Sequence, residues 1–123
     1  MAPPTSLAIA TQAVNRLVKE ESYYHKEQAS QEKRIKKLEE DIESNSPDLD
    51  TNAEYILKQE KTALDETKAV FEPLRQRISD AVDKLEEQIA IAESDGTGPE
   101  EELKKAKEAL ETGQKAVEKA EES

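Results

Sequence analysis

The chain has 123 residues, 38% of them charged and 34% hydrophobic, with a formal net charge of −11. That balance fits one domain of long helices with narrow apolar seams, and is too polar for a thick two-layer core. Four aromatics, three glycines and no tryptophan argue against a β-sandwich or barrel. The absence of cysteine removes disulfides and thiolate metal sites, and the negative charge works against general affinity for nucleic acid or anionic lipid.

The start, Met1-Ala2-Pro3-Pro4-Thr5-Ser6, has no basic region leading into a continuous apolar run. No apolar stretch in the chain approaches about 20 residues, so a soluble, cytoplasmic protein is expected. Pro3 and Pro4 hold the entry extended, and Thr5 or Ser6 can cap a helix over about 6–44. Its seam, Leu7, Ala10, Val14, Leu17, Glu21, Tyr24, Gln28, Gln31, Ile35, Leu38 and Ile42, alternates steps of three and four without a slip. Ser44-Asn45-Ser46-Pro47-Asp48 ends it.

A second seam runs from Ala53 through Leu57, Glu60, Leu64, Thr67, Phe71, Leu74, Ile78, Ala81, Leu85 and Gln88 to Ala92. The expected helix spans about 51–94, starting at the capping box Thr51-Asn52-Ala53-Glu54, with a kink near the outward-facing Pro73. Folded back as a hairpin, the two seams match where residue numbers sum to 95, which pairs Tyr24 with Phe71 and Gln28 with Thr67. Those polar middle layers penalise slipped registers.

Ser94-Asp95-Gly96-Thr97-Gly98-Pro99 is the clearest linker, with Gly96 suited to a left-handed cap and Pro99 to a first helical position. A third, shorter helix over about 99–120 has the seam Leu103, Ala106, Leu110, Gly113, Val117 and Ala120, held mainly by Leu103, Leu110 and Val117. It can cover only the far half of helix two, where Val82 and Ile89 flank the seam. In the near half, Leu49, Ile56, Ala63 and Val70 flank the other side and are left open. The expected fold is all-α: a single antiparallel three-helix bundle domain spanning 1–123, coiled-coil-like and spectrin-repeat-like.

Nothing in the chain has catalytic spacing: there is no phosphate loop, nucleophile motif or zinc pattern, and the carboxylates sit on wet helix faces. No cofactor or metal is expected. The single histidine, His25, stands four residues after Glu21 but reads as a solvated flank residue, because a metal needs more converging donors. Two surface features stand out. The outward face of helix one carries Arg16, Lys19, Lys26, Lys33, Lys36 and Lys37 with Tyr23 among them. It reads either as charge segregation for solubility or as a docking face for an acidic partner. The open stripe of Ile56, Ala63 and Val70 reads as a partner groove, a homodimer face or wide packing. Candidate partner-binding residues are therefore Arg16, Lys19, Tyr23, Lys26, Lys33, Lys37, Ile56, Ala63 and Val70.

The run Arg16-Leu17-Val18-Lys19-Glu20-Glu21-Ser22-Tyr23-Tyr24-His25-Lys26-Glu27, continuing to Gln31-Glu32 and Lys37-Leu38, closely resembles the tubulin-specific chaperone A family, also called tubulin-binding cofactor A. The first residues and Leu64-Asp65-Glu66-Thr67-Lys68 look particularly like fungal members. The resemblance spans most of residues 1 to 93 and is poor in helix three. It implies a cytoplasmic, cytoskeleton-associated three-helix chaperone, without nucleotide or enzymatic activity, that holds β-tubulin folding intermediates and hands them to heterodimer assembly. Tubulins being acidic, binding would need a local exception to long-range repulsion, which the basic stripe could supply. A structural adaptor or homo-oligomeric spacer without a chaperone role is the alternative, and a monomer or a homodimer fits either.

Overall fold

The computed structural model describes residues 3–96 and 98–122, with side chains through residue 119. Met1, Ala2 and Thr97, named above in the entry and the linker, lie outside the described residues, as does the side chain of Ala120. Three helices account for nearly all of the rest: α1 (Ser6–Glu43), α2 (Ala53–Asp95) and α3 (Glu100–Glu122). The described residues include no strand, and the helices bury their apolar faces against one another as a bundle, as the composition and seams predict.

Each helix end has an identifiable stop or start. Thr5 caps α1: its Oγ1 accepts the Ala8 N–H at 3.0 Å and its carbonyl accepts the Ile9 N–H. The same hydroxyl donates to Glu102 Oε1 at 2.6 Å, tying the start of α1 to the start of α3. α1 ends in a Schellman motif in which Asn45 takes the left-handed conformation at φ 51°. The Asn45 N–H bonds the Ile42 carbonyl and the Ser46 N–H bonds the Asp41 carbonyl.

The start of α2 differs from the capping box expected at Thr51. Asp50 organises the turn instead, its Oδ1 accepting the Asn52 N–H at 2.8 Å and its carbonyl accepting the Ala53 N–H. The helix begins at Ala53 with Asn52 supplying the first carbonyl, to Ile56. α2 then continues past Pro73, whose side chain is exposed and so avoids the core. Gly96 closes it at φ 63° with its N–H on the Ala92 carbonyl, the left-handed cap read from the linker. Pro99 stands just outside α3, where its carbonyl accepts the Leu103 N–H, rather than at the first helical position.

The chain divides into two compact units. The first comprises residues up to Glu21 with Glu72 onward, so it holds the start of α1, the second half of α2 and all of α3. Its core is mainly apolar, with Thr11 and Glu21 the buried polar residues among those described. Val14, Leu74, Ile78 and Leu85 are fully buried, each contributing about 1.5–3 kcal/mol by burial. Val82 and Ile89 are buried beside them, the seat expected for α3.

α3 meets that seat through a different stripe from the expected one. Its deepest residues are Ala106, Ala109, Gly113 and Ala116, while Leu103, Leu110 and Val117 are half-buried at the edges. The reason is close approach. A Cβ on Gly113 would lie 2.7 Å from Val82 Cγ2 and 2.8 Å from Val14 Cγ1, so only small residues fit along the contact line. Large side chains then pack at the rims, where the helices diverge.

The second unit, Ser22–Phe71, is a two-helix hairpin closed by the 44–52 turn. Arg34 Nε lies 3.4 Å from Glu60 Oε2, Lys61 Nζ lies 3.3 Å from Glu39 Oε2, and His25 stacks on Phe71. The residue numbers of these three pairs sum to 94, 100 and 96, an antiparallel pairing near the expected register. His25 is exposed, as expected of a flank residue, and its ring also stacks on Phe71, while Tyr24 meets Tyr23 in a T-shaped contact at 5.3 Å. This seam is polar and thin. Ile35 and Ala53 are buried, but so are the polar Gln31 and Thr67, and Tyr24, Leu38, Leu57, Leu64 and Phe71 are only half-buried. Thr67 donates its hydroxyl to the Ala63 carbonyl, but Gln31 Oε1 has no hydrogen-bond partner among the described residues.

Candidate partner-binding face

Seam residues at the a and d positions of each helix fix where every other residue points. On α1 this puts Tyr23 and Lys37 at c positions, Lys26 and Lys33 at f, and Lys36 at b, all away from α2. All five are exposed, Tyr23 to 60%. Arg16 and Lys19, at c and f positions within the first unit, are exposed as well.

The charge pattern along this face is unusual for so acidic a chain. Among the described residues Arg16, Lys19, Lys26, Lys33 and Lys36 form no ion pair, and Lys37 has a loose one with Asp41 at 3.7 Å. Of the lysines elsewhere, Lys61, Lys105, Lys107 and Lys115 engage Glu39, Glu101, Glu93 and Glu111, whereas Lys58, Lys68, Lys84 and Lys104 form no ion pair among the described residues. From Ser22 to Lys37 the b, c and f positions include four lysines and no acid. Over that stretch the acids stand on the rails beside the seam, Glu27 on one side and Glu32 on the other, and just beyond it Glu39 continues the second rail while Glu40 faces outward.

The apolar candidates lie on α2 of the second unit at g positions. Ile56 is 37% exposed, and Ala63 and Val70 are half-buried, as is Leu49 in the turn. In an antiparallel pair this edge adjoins the g and c positions of α1, which include Arg34, Tyr23 and Lys37. The hairpin thus brings Tyr23, Lys37, Ile56, Ala63 and Val70 to one side. Lys26 and Lys33 are not on that side but point straight outward from the seam.

Three exposed apolar or aromatic residues were missed by reasoning from the seams alone: Ile9 and Ile91 in the first unit, and Tyr55 in the second. Tyr55 is 64% exposed beside Ile56, at an f position. Its signal was present: an aromatic residue at a position facing directly away from the seam has no packing reason to be there.

Within the described residues, no cluster of three or more His, Asp or Glu side chains is arranged to hold a metal. None of their helices is long and apolar enough to cross a membrane.

The family model described as tubulin binding cofactor A matches residues 2–110. The chain belongs to the tubulin binding cofactor A family. It is also 38% identical over 84 residues to the tubulin-specific chaperone A of Saccharomyces cerevisiae, an alignment covering 68% of this chain and 72% of the yeast protein. No solved structure matches the chain. The cofactor A match ends at residue 110, inside α3, so it takes in the whole of the hairpin unit and leaves the last turns of α3 outside.

Proposed function

We propose that this cofactor A family member is a tubulin-folding chaperone that binds and holds β-tubulin folding intermediates in the cytoplasm and hands them to heterodimer assembly. Family membership carries this reading, and the hairpin unit offers surfaces suited to it. The candidate contacts are Tyr23, Lys26, Lys33 and Lys37 with Ile56, Ala63 and Val70 in that unit, and Arg16 and Lys19 in the first. Cations supply local attraction to an acidic client within a Debye length of about 8 Å, which a net charge of −11 otherwise opposes. An exposed aromatic beside an apolar edge supplies the anchoring area. The chemistry needed is holding, not catalysis.

The test is capture of newly translated β-tubulin by the immobilised chain, with α-tubulin in parallel. Selective retention of β-tubulin, with its release on addition of the remaining assembly machinery, is the expected result. Equal retention of both tubulins overturns the β-specificity, and retention of neither overturns the chaperone reading. A second reading, a homo-oligomeric spacer, draws on the half-exposed Ile56, Ala63 and Val70 edge. Sedimentation equilibrium separates the two, because a spacer requires self-association in the absence of tubulin.

A further inference from the structure

We infer that the outward face of α1 in the hairpin unit is a docking track for a short, extended, acidic polypeptide segment. This deepens the tubulin reading by naming the chemistry of the ligand that the face accepts, and it rests on that reading only for the identity of the client.

Lys26, Lys33, Lys36 and Lys37 are exposed, and the first three form no ion pair although the chain has 29 acids and only 18 lysines and arginines. From Ser22 to Lys37 no acid occupies an outward b, c or f position, and the first outward acid beyond them is Glu40, one turn after Lys36. Solubility alone does not call for such segregation, since α3 is equally wet and intersperses its lysines with acids, pairing Lys105 with Glu101 and Lys115 with Glu111.

The track's shape selects among anionic ligands. Glu27 on one rail and Glu32 and Glu39 on the other border the cations, which occupy the three adjacent outward positions b, f and c. A flat anionic bilayer or a nucleic-acid duplex, each broader than a helix face, would press its charge against those rails. A single extended chain would not. A partner helix is disfavoured for another reason: apart from Ala29 and Tyr23, the b, c and f positions from Ser22 to Lys37 offer nothing apolar to pack against.

Length agrees too. Lys26 to Lys37 spans about 16 Å of helix rise. An extended strand covers that distance in about five residues at roughly 3.3 Å each. A segment with three acids on one face in five residues therefore meets the track, and Tyr23 at its end gives an exposed ring for a flanking apolar residue.

The experiment is a fluorescence-anisotropy titration of the full chain with a labelled oligoglutamate peptide, with Lys26→Glu/Lys33→Glu/Lys36→Glu compared against Lys58→Glu/Lys68→Glu/Lys84→Glu. The two variants change net charge equally, and circular dichroism verifies that both remain helical. The expected result is binding that weakens with salt, is lost by about tenfold or more in the α1 variant, and is retained within about threefold in the α2 variant. No binding by the unmodified chain, or equal loss in both variants, overturns the inference, the latter because bulk charge would then suffice. Binding of anionic vesicles or of duplex DNA at least as tight as the peptide, and sensitive to the same lysines, also overturns it. Capture of β-tubulin is measured on the same variants. If the α1 variant loses the peptide but still captures tubulin, the docking track stands and the tubulin contact lies elsewhere.

Discussion

The ring of His25 lies on the ring of Phe71, centroids 4.5 Å apart and planes 23° from parallel. Phe71 is the last residue of the hairpin unit and is only half-buried, so His25 supplies a roof that the two-helix seam cannot. Replacing His25 by Ala removes the stack and exposes Phe71, and should lower stability by about 1 kcal/mol. His25→Phe keeps the stacked area and should lose less than half of that. Urea denaturation of the two variants measures the difference.

Gly113 predicts the opposite sign from helix propensity. In an exposed helix, Gly→Ala stabilises by about 1 kcal/mol. Here a methyl at 2.7 Å from Val82 and 2.8 Å from Val14 forces α3 away from its seat, at about 1–3 kcal/mol of overpacking. Gly113→Ala should therefore destabilise the first unit, and Gly113→Ala/Val82→Ala should do so by less than the sum of the two single changes. A thermal-denaturation cycle of the three variants tests this. Additive losses would mean that the methyl does not meet Val82.

Gln31 is 5% exposed and its Oε1 has no hydrogen-bond partner among the described residues. An unmade bond to a buried carbonyl costs about 1–3 kcal/mol. Gln31→Leu removes that penalty and widens the apolar seam, and should stabilise the hairpin by at least about 1 kcal/mol. Amide hydrogen exchange along residues 22–43 and 53–71 should slow in the variant. Unchanged exchange would show that the seam opens without reference to this layer.

Period and punctuation made most of the fold legible. The three-four steps gave α1 and α2 and their pairing, because a seam repeats its signal some ten times along each helix. Gly96 and the Ser44–Asp48 cluster marked the ends for reasons of local backbone chemistry. What escaped depends on distance between helices, which no single helix encodes. Leu103 and Val117 read as the core of α3 because large apolar residues usually are, whereas the approach at Gly113 pushed them to the rim. His25 read as a solvated flank residue and is exposed, but its stack on Phe71 is a contact across the hairpin. The lysine row was visible as residues, but that it goes unpaired became visible only with side chains in place.

The edge of α2 that includes Ile56 supports the last prediction. Ile56 is 37% exposed, flanked by Tyr55 at 64%, and lies toward the side of the hairpin where Tyr23 also projects. Because so much of Ile56 already faces water, Ile56→Asp should leave thermal stability within about 1 kcal/mol of the parent. A carboxylate there nevertheless desolvates badly in any apolar interface. The variant should lose β-tubulin capture by about tenfold, equivalent to about 1.4 kcal/mol, if this edge contacts the client. If instead it is a homodimer edge, sedimentation should show the variant as monomer with capture intact. A variant that folds, captures tubulin and sediments as the parent does would show that Ile56 serves neither contact, and would leave the lysine row as the remaining candidate.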